Sequence, residues 1–152
     1  MKKQFITDNE QQTAILAAKF ALLAQKGDVY ALYGTLGVGK SVFSRAFIQE
    51  LTQAVEVPSP TFTLVQTYPF ANLDIYHFDL YRLKSPEEVF ELGFEEAIYQ
   101  GISLIEWPEK AGGYLPKDIF KINISTKDNC RIIEVSADSA EKQQRLEQIN
   151  EF

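Results

Sequence analysis

With 152 residues, 45% of them hydrophobic and 12% aromatic, the chain can build one proper core but hardly two. Its net charge of −6, from 21 acidic and 15 basic residues in no basic cluster, makes it a poor candidate to grip nucleic acid alone. A single cysteine, Cys130, excludes an internal disulfide, suits a reducing compartment and reads as a small buried hydrophobe. The start, Met1-Lys2-Lys3-Gln4, is charged, and no apolar run of roughly 7–15 residues follows to make a signal peptide, nor a longer one to span a membrane. A cytoplasmic protein is expected.

Along the chain, Thr7-Asp8-Asn9-Glu10 reads as a capping box with Thr7 as the cap, opening a helix to about Lys26. Ala14, Ala17, Ala18, Ala21 and Leu22 would line its buried face, and Gly27 would end it. The continuous apolar run Val29-Tyr30-Ala31-Leu32-Tyr33 predicts a strand buried on both faces. Directly after it, Gly34-Thr35-Leu36-Gly37-Val38-Gly39-Lys40-Ser41 fits the phosphate-loop pattern G-x-x-x-x-G-K-[ST] without mismatch. Phe43, Ala46, Phe47 and Leu51 then recur at helical spacing, so strand, loop and helix follow in the required order. The glycines let several backbone N–H groups converge on phosphates at the helix N-terminus. Lys40 would reach the outer phosphates, and the Ser41 hydroxyl a bridging magnesium ion. These residues predict a nucleoside triphosphate site.

Pro58-Ser59-Pro60 stiffens the segment that carries Thr61 and keeps it out of a helix. Strands near 62–69 and 73–80, joined by Phe70-Ala71-Asn72, predict an antiparallel pair. In the second, Tyr76, Phe78 and Leu80 face one way and Ile75, His77 and Asp79 the other. Ser85-Pro86-Glu87-Glu88 is another capping box, starting short helices that end near Gly101. Ile102 to Ile105 is a short apolar strand that ends in Glu106. Open α/β sheets place ligands at the carboxyl ends of their strands, so Asp79 and Glu106 are both candidates for the acid that holds the metal. His77, the only histidine, is expected to be packed beside Asp79; the alternative is a catalytic base. A hairpin follows over 120–136, turning at 126–129. The polar stretch 139–152 predicts a helical tail, weakly docked through Leu146 and Ile149. The whole is a single-domain P-loop NTPase-like α/β fold, three layers around a mixed parallel and antiparallel sheet.

Four segments in this order, Gly34 to Ser41, Pro58-Ser59-Pro60-Thr61-Phe62-Thr63, His77-Phe78-Asp79-Leu80-Tyr81-Arg82 and Ile105-Glu106-Trp107, resemble the TsaE (YjeE) family. The likeness runs from about Phe5 to Ser136. It implies an ATPase of bacterial tRNA threonylcarbamoyladenosine biosynthesis, acting at adenosine 37 of tRNAs that read codons beginning with A. It further implies two partner subunits, of the TsaD and TsaB types, with tRNA reached only through them. The resemblance makes Lys40 the phosphate-binding lysine, and Ser41, Asp79 and Glu106 the magnesium shell. It makes Thr61 a switch threonine that senses the third phosphate, and Trp107 a residue responsive to the nucleotide. By the same likeness Thr7 and Arg131 would lie near the nucleotide. Thr35 stands where members often carry an acid, and Ser41 replaces the more usual threonine. Neither change removes a needed group, because the loop works through backbone N–H groups and either hydroxyl can meet the metal.

The expected chemistry is magnesium-dependent hydrolysis of ATP to ADP and phosphate, slow alone and activated within a complex. Whichever of Asp79 and Glu106 is not a direct ligand would orient the attacking water. Two other readings compete. A small-molecule kinase usually closes an arginine-bearing lid, whereas the four arginines here, Arg45, Arg82, Arg131 and Arg145, form no cluster. A nucleotide sensor would use Thr61 and Trp107 to alter its partner surface, with hydrolysis as a slow reset.

Overall fold

The apolar run at 29–33 becomes the central strand. In the computed structural model, which describes residues 1–150, β2 (Val29–Tyr33) buries its first four residues. It lies parallel to β5 (Ile102–Glu106) on one side and to β6 (Phe120–Lys127) on the other. Outside β5, β4 (Leu73–Asp79) extends the parallel core, and β3 (Val65–Phe70) closes that edge as its antiparallel hairpin partner. Outside β6 come β7 (Cys130–Ser136) and then β1 (Lys2–Thr7), both antiparallel. The order is β1-β7-β6-β2-β5-β4-β3, the mixed sheet expected from the sequence.

Alternation along the strands divides the core into two layers. Tyr30, Leu32, Leu104, Phe120, Ile122, Ile124, Ile133 and Val135 face α1 (Glu10–Leu22), α2 (Lys40–Thr52) and α4 (Ala140–Glu147). Phe20 sits among aromatic neighbours there, edge-on to Phe5, Tyr30 and Phe120 at 6.2–6.4 Å. On the other side Val29, Ala31, Phe78 and Ile105 meet α3 (Phe94–Gln100) and two 3-10 segments, Pro86–Leu92 and Pro108–Tyr114. The predicted box at Ser85 forms: its side chain accepts from the Glu88 backbone while Glu88 Oε1 accepts from Ser85 N at 3.1 Å. No helix among the described residues is long and apolar enough to cross a membrane.

The N-terminal region differs from its sequence reading. Thr7 is not a helix cap; it ends β1, opposite Arg131, and its Oγ1 lies 2.8 Å from Thr13 Oγ1. Asn9 caps α1 instead, accepting from Gln12 N at 2.9 Å. The helix ends at Leu22, short of Lys26, because the Asp28 carboxylate takes up the Gln25 N–H at 2.8 Å and turns the chain toward β2. Its buried face is Thr13, Leu16, Ala17, Phe20 and Ala21, and Leu22 points outward.

The tail also differs. Leu146 and Ile149 are buried, and Arg145 on α4 reaches the buried Asp28 at the foot of β2, with Nη2 2.8 Å from Oδ1 and Nη1 bonded to Oδ2. Lys3 Nζ donates to Ile149 O at 2.5 Å, tying the end of the tail to β1. Through residue 150 the tail is therefore firmly docked; Glu151 and Phe152 lie outside the described residues.

Candidate functional site

The end of β2 is where phosphate chemistry becomes possible. Gly34 has φ +146°, and a Cβ there would stand 2.7 Å from the Ile124 carbonyl oxygen, so only glycine lets the chain leave the sheet at this point. The loop then runs to Gly39 (φ +120°), which precedes α2 without any side-chain cap. The first N–H groups of α2 are left for an anion, where the helix dipole also favours negative charge.

Lys40 and Ser41 open that helix. The Lys40 ammonium donates to the Gly34 carbonyl and lies 3.6 Å from the centre of the Trp107 ring. Burial pushes its pKa below the ordinary lysine value, against the opposing pull of Glu106, Glu109 and Asp79. Trp107 follows Glu106 in a left-handed conformation (φ +59°), which turns its ring back across the loop and against Tyr81 at 4.9 Å.

The two candidate acids arrive side by side, since Asp79 and Glu106 are register partners at the ends of β4 and β5. Glu106 Oε1 accepts from Ser41 Oγ at 3.1 Å, and its Oε2 lies 2.6 Å from His77 Nε2. Asp79 Oδ2 accepts from Thr61 Oγ1 at 3.3 Å, and Oδ1 from Tyr81 N at 3.1 Å. Thr61 is held by its loop: Leu64 N closes a turn onto Pro60 O at 2.7 Å, and Ser59 Oγ lies 2.8 Å from Thr61 Oγ1. Ser41, Asp79 and Glu106 together offer one hydroxyl and two carboxylates, all hard oxygens, a donor set that fits magnesium better than a softer ion. Among the described residues no three or more His, Cys, Asp and Glu side chains gather to hold a metal by themselves.

These groups border a cavity of about 420 Å³, within the range of small-ligand sites. Of the residues the sequence nominated, Leu36, Gly37, Val38, Gly39, Lys40, Ser41, Thr61, Asp79, Glu106, Trp107 and Arg131 reach its wall, and Gly34 and Thr35 do not. Arg131 spends its Nε on Val38 O at 2.8 Å, so it braces the loop as well as facing the cavity. Thr7 does not reach the cavity: it is fully buried behind Thr13. Sequence reasoning missed Asp8, Asn9, Glu10, Thr13 and Asn129, which close the far side. Only the polar residues at the head of α1 and in the β6–β7 turn could have signalled them. Cys130, expected in the core, is half-buried instead and donates to Asp8 Oδ1 at 3.3 Å, which pushes its thiol pKa up.

Comparison with known proteins identifies the family. The family model for threonylcarbamoyl adenosine biosynthesis protein TsaE matches residues 7–133. The tRNA threonylcarbamoyladenosine biosynthesis protein TsaE of Rickettsia felis is 42% identical over 140 residues, 89% of this chain and 82% of that protein. Its Bacillus subtilis counterpart is 37% identical over 119 residues, 78% of this chain and 74% of that protein. Among solved structures, Bacillus subtilis YdiB superposes with a TM-score of 0.79 at 29% identity, covering 98% of this chain and 94% of that one. The chain therefore belongs to the TsaE family of tRNA threonylcarbamoyladenosine biosynthesis proteins.

Proposed function

We propose that the chain is a magnesium-dependent ATPase, cytoplasmic, that hydrolyses ATP to ADP and phosphate to support formation of threonylcarbamoyl at N6 of adenosine 37, in tRNAs that read codons beginning with A. The observation that carries this reading is the uncapped start of α2, with Lys40 and Ser41, facing the paired acids Asp79 and Glu106 across one cavity. The phosphates bind the loop N–H groups, and Lys40 leaves the Gly34 carbonyl and the Trp107 ring to meet them. Ser41 and Glu106, already bonded to each other, would hold the magnesium ion, with Asp79 beside them. When bound, the ion neutralises charge that builds on the bridging phosphate oxygens.

Asp79, joined to Thr61, would orient water for in-line attack on the third phosphate. The bond from that phosphorus to the bridging oxygen breaks, ADP leaves with the electron pair, and the proton of water goes to the solvent. Thr61 sits on an irregular loop and changes partners with the third phosphate, which gives the site two nucleotide-dependent shapes. An acidic chain suits a subunit that reaches tRNA through partners, of the TsaD and TsaB types, which would complete the open side of the site. The test is magnesium-dependent phosphate release from ATP by the chain alone and with both partner subunits. Strong stimulation supports the reading; equal rates refute the composite site, and phosphate transfer to a small acceptor would make the chain a kinase.

A further inference from the structure

The geometry points to His77 as a positioning residue: its imidazole holds one oxygen of Glu106 so that the other is presented to Ser41 and the phosphate loop. The inference rests on the magnesium–ATP reading of the site and adds a role for a side chain that touches neither.

The placement follows from the sheet. His77 on β4 is the register partner of Leu104 on β5, and its side chain shares a face with Ile75 and Asp79. Glu106 lies two residues beyond Leu104 on that face, so the two groups meet on a cross-strand diagonal within reach of long side chains. They come to 2.6 Å, with side chains only 2% and 3% exposed. His77 does not line the cavity and is 1% exposed, which argues for a positioning role over that of a base that meets water or phosphate.

The direction of the bond follows from the partner: a carboxylate oxygen can only accept, so the shared proton sits on His77 Nε2. His77 Nδ1 is buried, with no hydrogen-bond partner among the described residues, so the ring's one polar contact is with Glu106. His77 therefore donates and Glu106 accepts. The carboxylate is then held at both ends, by His77 at Oε2 and by Ser41 Oγ at Oε1. Without the imidazole it would be free to rotate about its last torsion, and Lys40, to which it is electrostatically coupled, would compete for it. Partners that orient a metal-binding carboxylate in this way are worth about 10- to 100-fold in metal affinity.

Replacement by Leu and by Gln separates positioning from packing, because the glutamine amide restores an N–H at similar reach while leucine restores only volume. Calorimetric binding of ADP, with magnesium chloride and with a chelator, is the readout. In His77→Leu the gain in ADP affinity given by magnesium should shrink by about 10- to 100-fold. His77→Gln should regain most of it, and all chains should bind metal-free ADP alike. Should the leucine variant fail to fold, His77→Asn, whose amide falls short of Glu106, takes its place with the same expected loss. An unchanged magnesium effect in the leucine or asparagine variant, or equal losses with and without the glutamine amide, overturns the inference. A wild-type chain whose ADP binding ignores magnesium would instead refute the metal reading on which it stands.

Discussion

Replacing Arg145 by methionine keeps the aliphatic stem and removes the charge that fastens α4 to the foot of β2. The Arg145 and Asp28 side chains are 8% and 4% exposed, so the pair is buried and solvent screening is small. Burial alone would lower the guanidinium pKa, but the hydrogen bonds and charge of Asp28 raise it well above its usual value. Breaking such a pair from one side costs roughly 3–5 kcal/mol, because the surviving charge is left without its counterion. Asp28 would still accept from Gln25 N at 2.8 Å and Tyr30 Oη at 3.0 Å, which places the loss near the lower end, about 3 kcal/mol. For a domain of this size that is a fall in Tm of about 6–12 °C, read by circular dichroism at neutral pH. Adding Asp28→Asn should recover most of the loss, since the uncompensated charge is then gone. A fall under about 2 °C would refute the reasoning and return the tail to the frayed helix that its polar sequence implies.

Gly34→Ala would drive a Cβ to 2.7 Å from the Ile124 carbonyl and 2.8 Å from Val38 Cγ1 at a φ of +146°. It should cost about 1–3 kcal/mol of stability and at least about tenfold in ATP affinity, and wild-type affinity would refute the loop geometry. Lys40 carries a lowered pKa when free and regains its proton preference against phosphate, so ATP affinity should fall as pH rises through the free value, which lies below 10.5. The decline should approach tenfold per pH unit and vanish in Lys40→Ala; a flat wild-type profile by calorimetry over the alkaline range would contradict it. Thr61→Val removes the hydrogen bonds to Asp79 and Ser59 with little change of shape. It should weaken ATP more than ADP, by about 5- to 50-fold in the ratio, and equal weakening of both would exclude the switch role.

The legible parts were those whose signals are local. The phosphate loop, the strand before it and the helix after it are encoded within 29–52, and the box at Ser85 and the 120–136 hairpin likewise depend on near neighbours. The acids were legible as strand ends, although only pairing shows that Asp79 and Glu106 stand side by side. Misreadings arose where a distant partner decides. Thr7 looked like a cap because its neighbours resemble a capping box, yet β7 draws it into a strand up to its pairing with Arg131. Cys130 looked like a core residue, yet its hairpin turn brings it to Asp8.

What the sequence determined by itself was the element order and the residue types of the site, because glycine conformations, proline restraints and alternating hydrophobicity act over a few residues. What the tertiary structure alone decided was which polar groups meet: His77 with Glu106, Thr61 with Asp79, Arg131 with the Val38 carbonyl, Arg145 with Asp28. Those contacts join segments 18–117 residues apart in the chain. They form because most buried polar atoms find a partner wherever the sheet order brings one within about 3 Å, and sequence separation carries no record of that order.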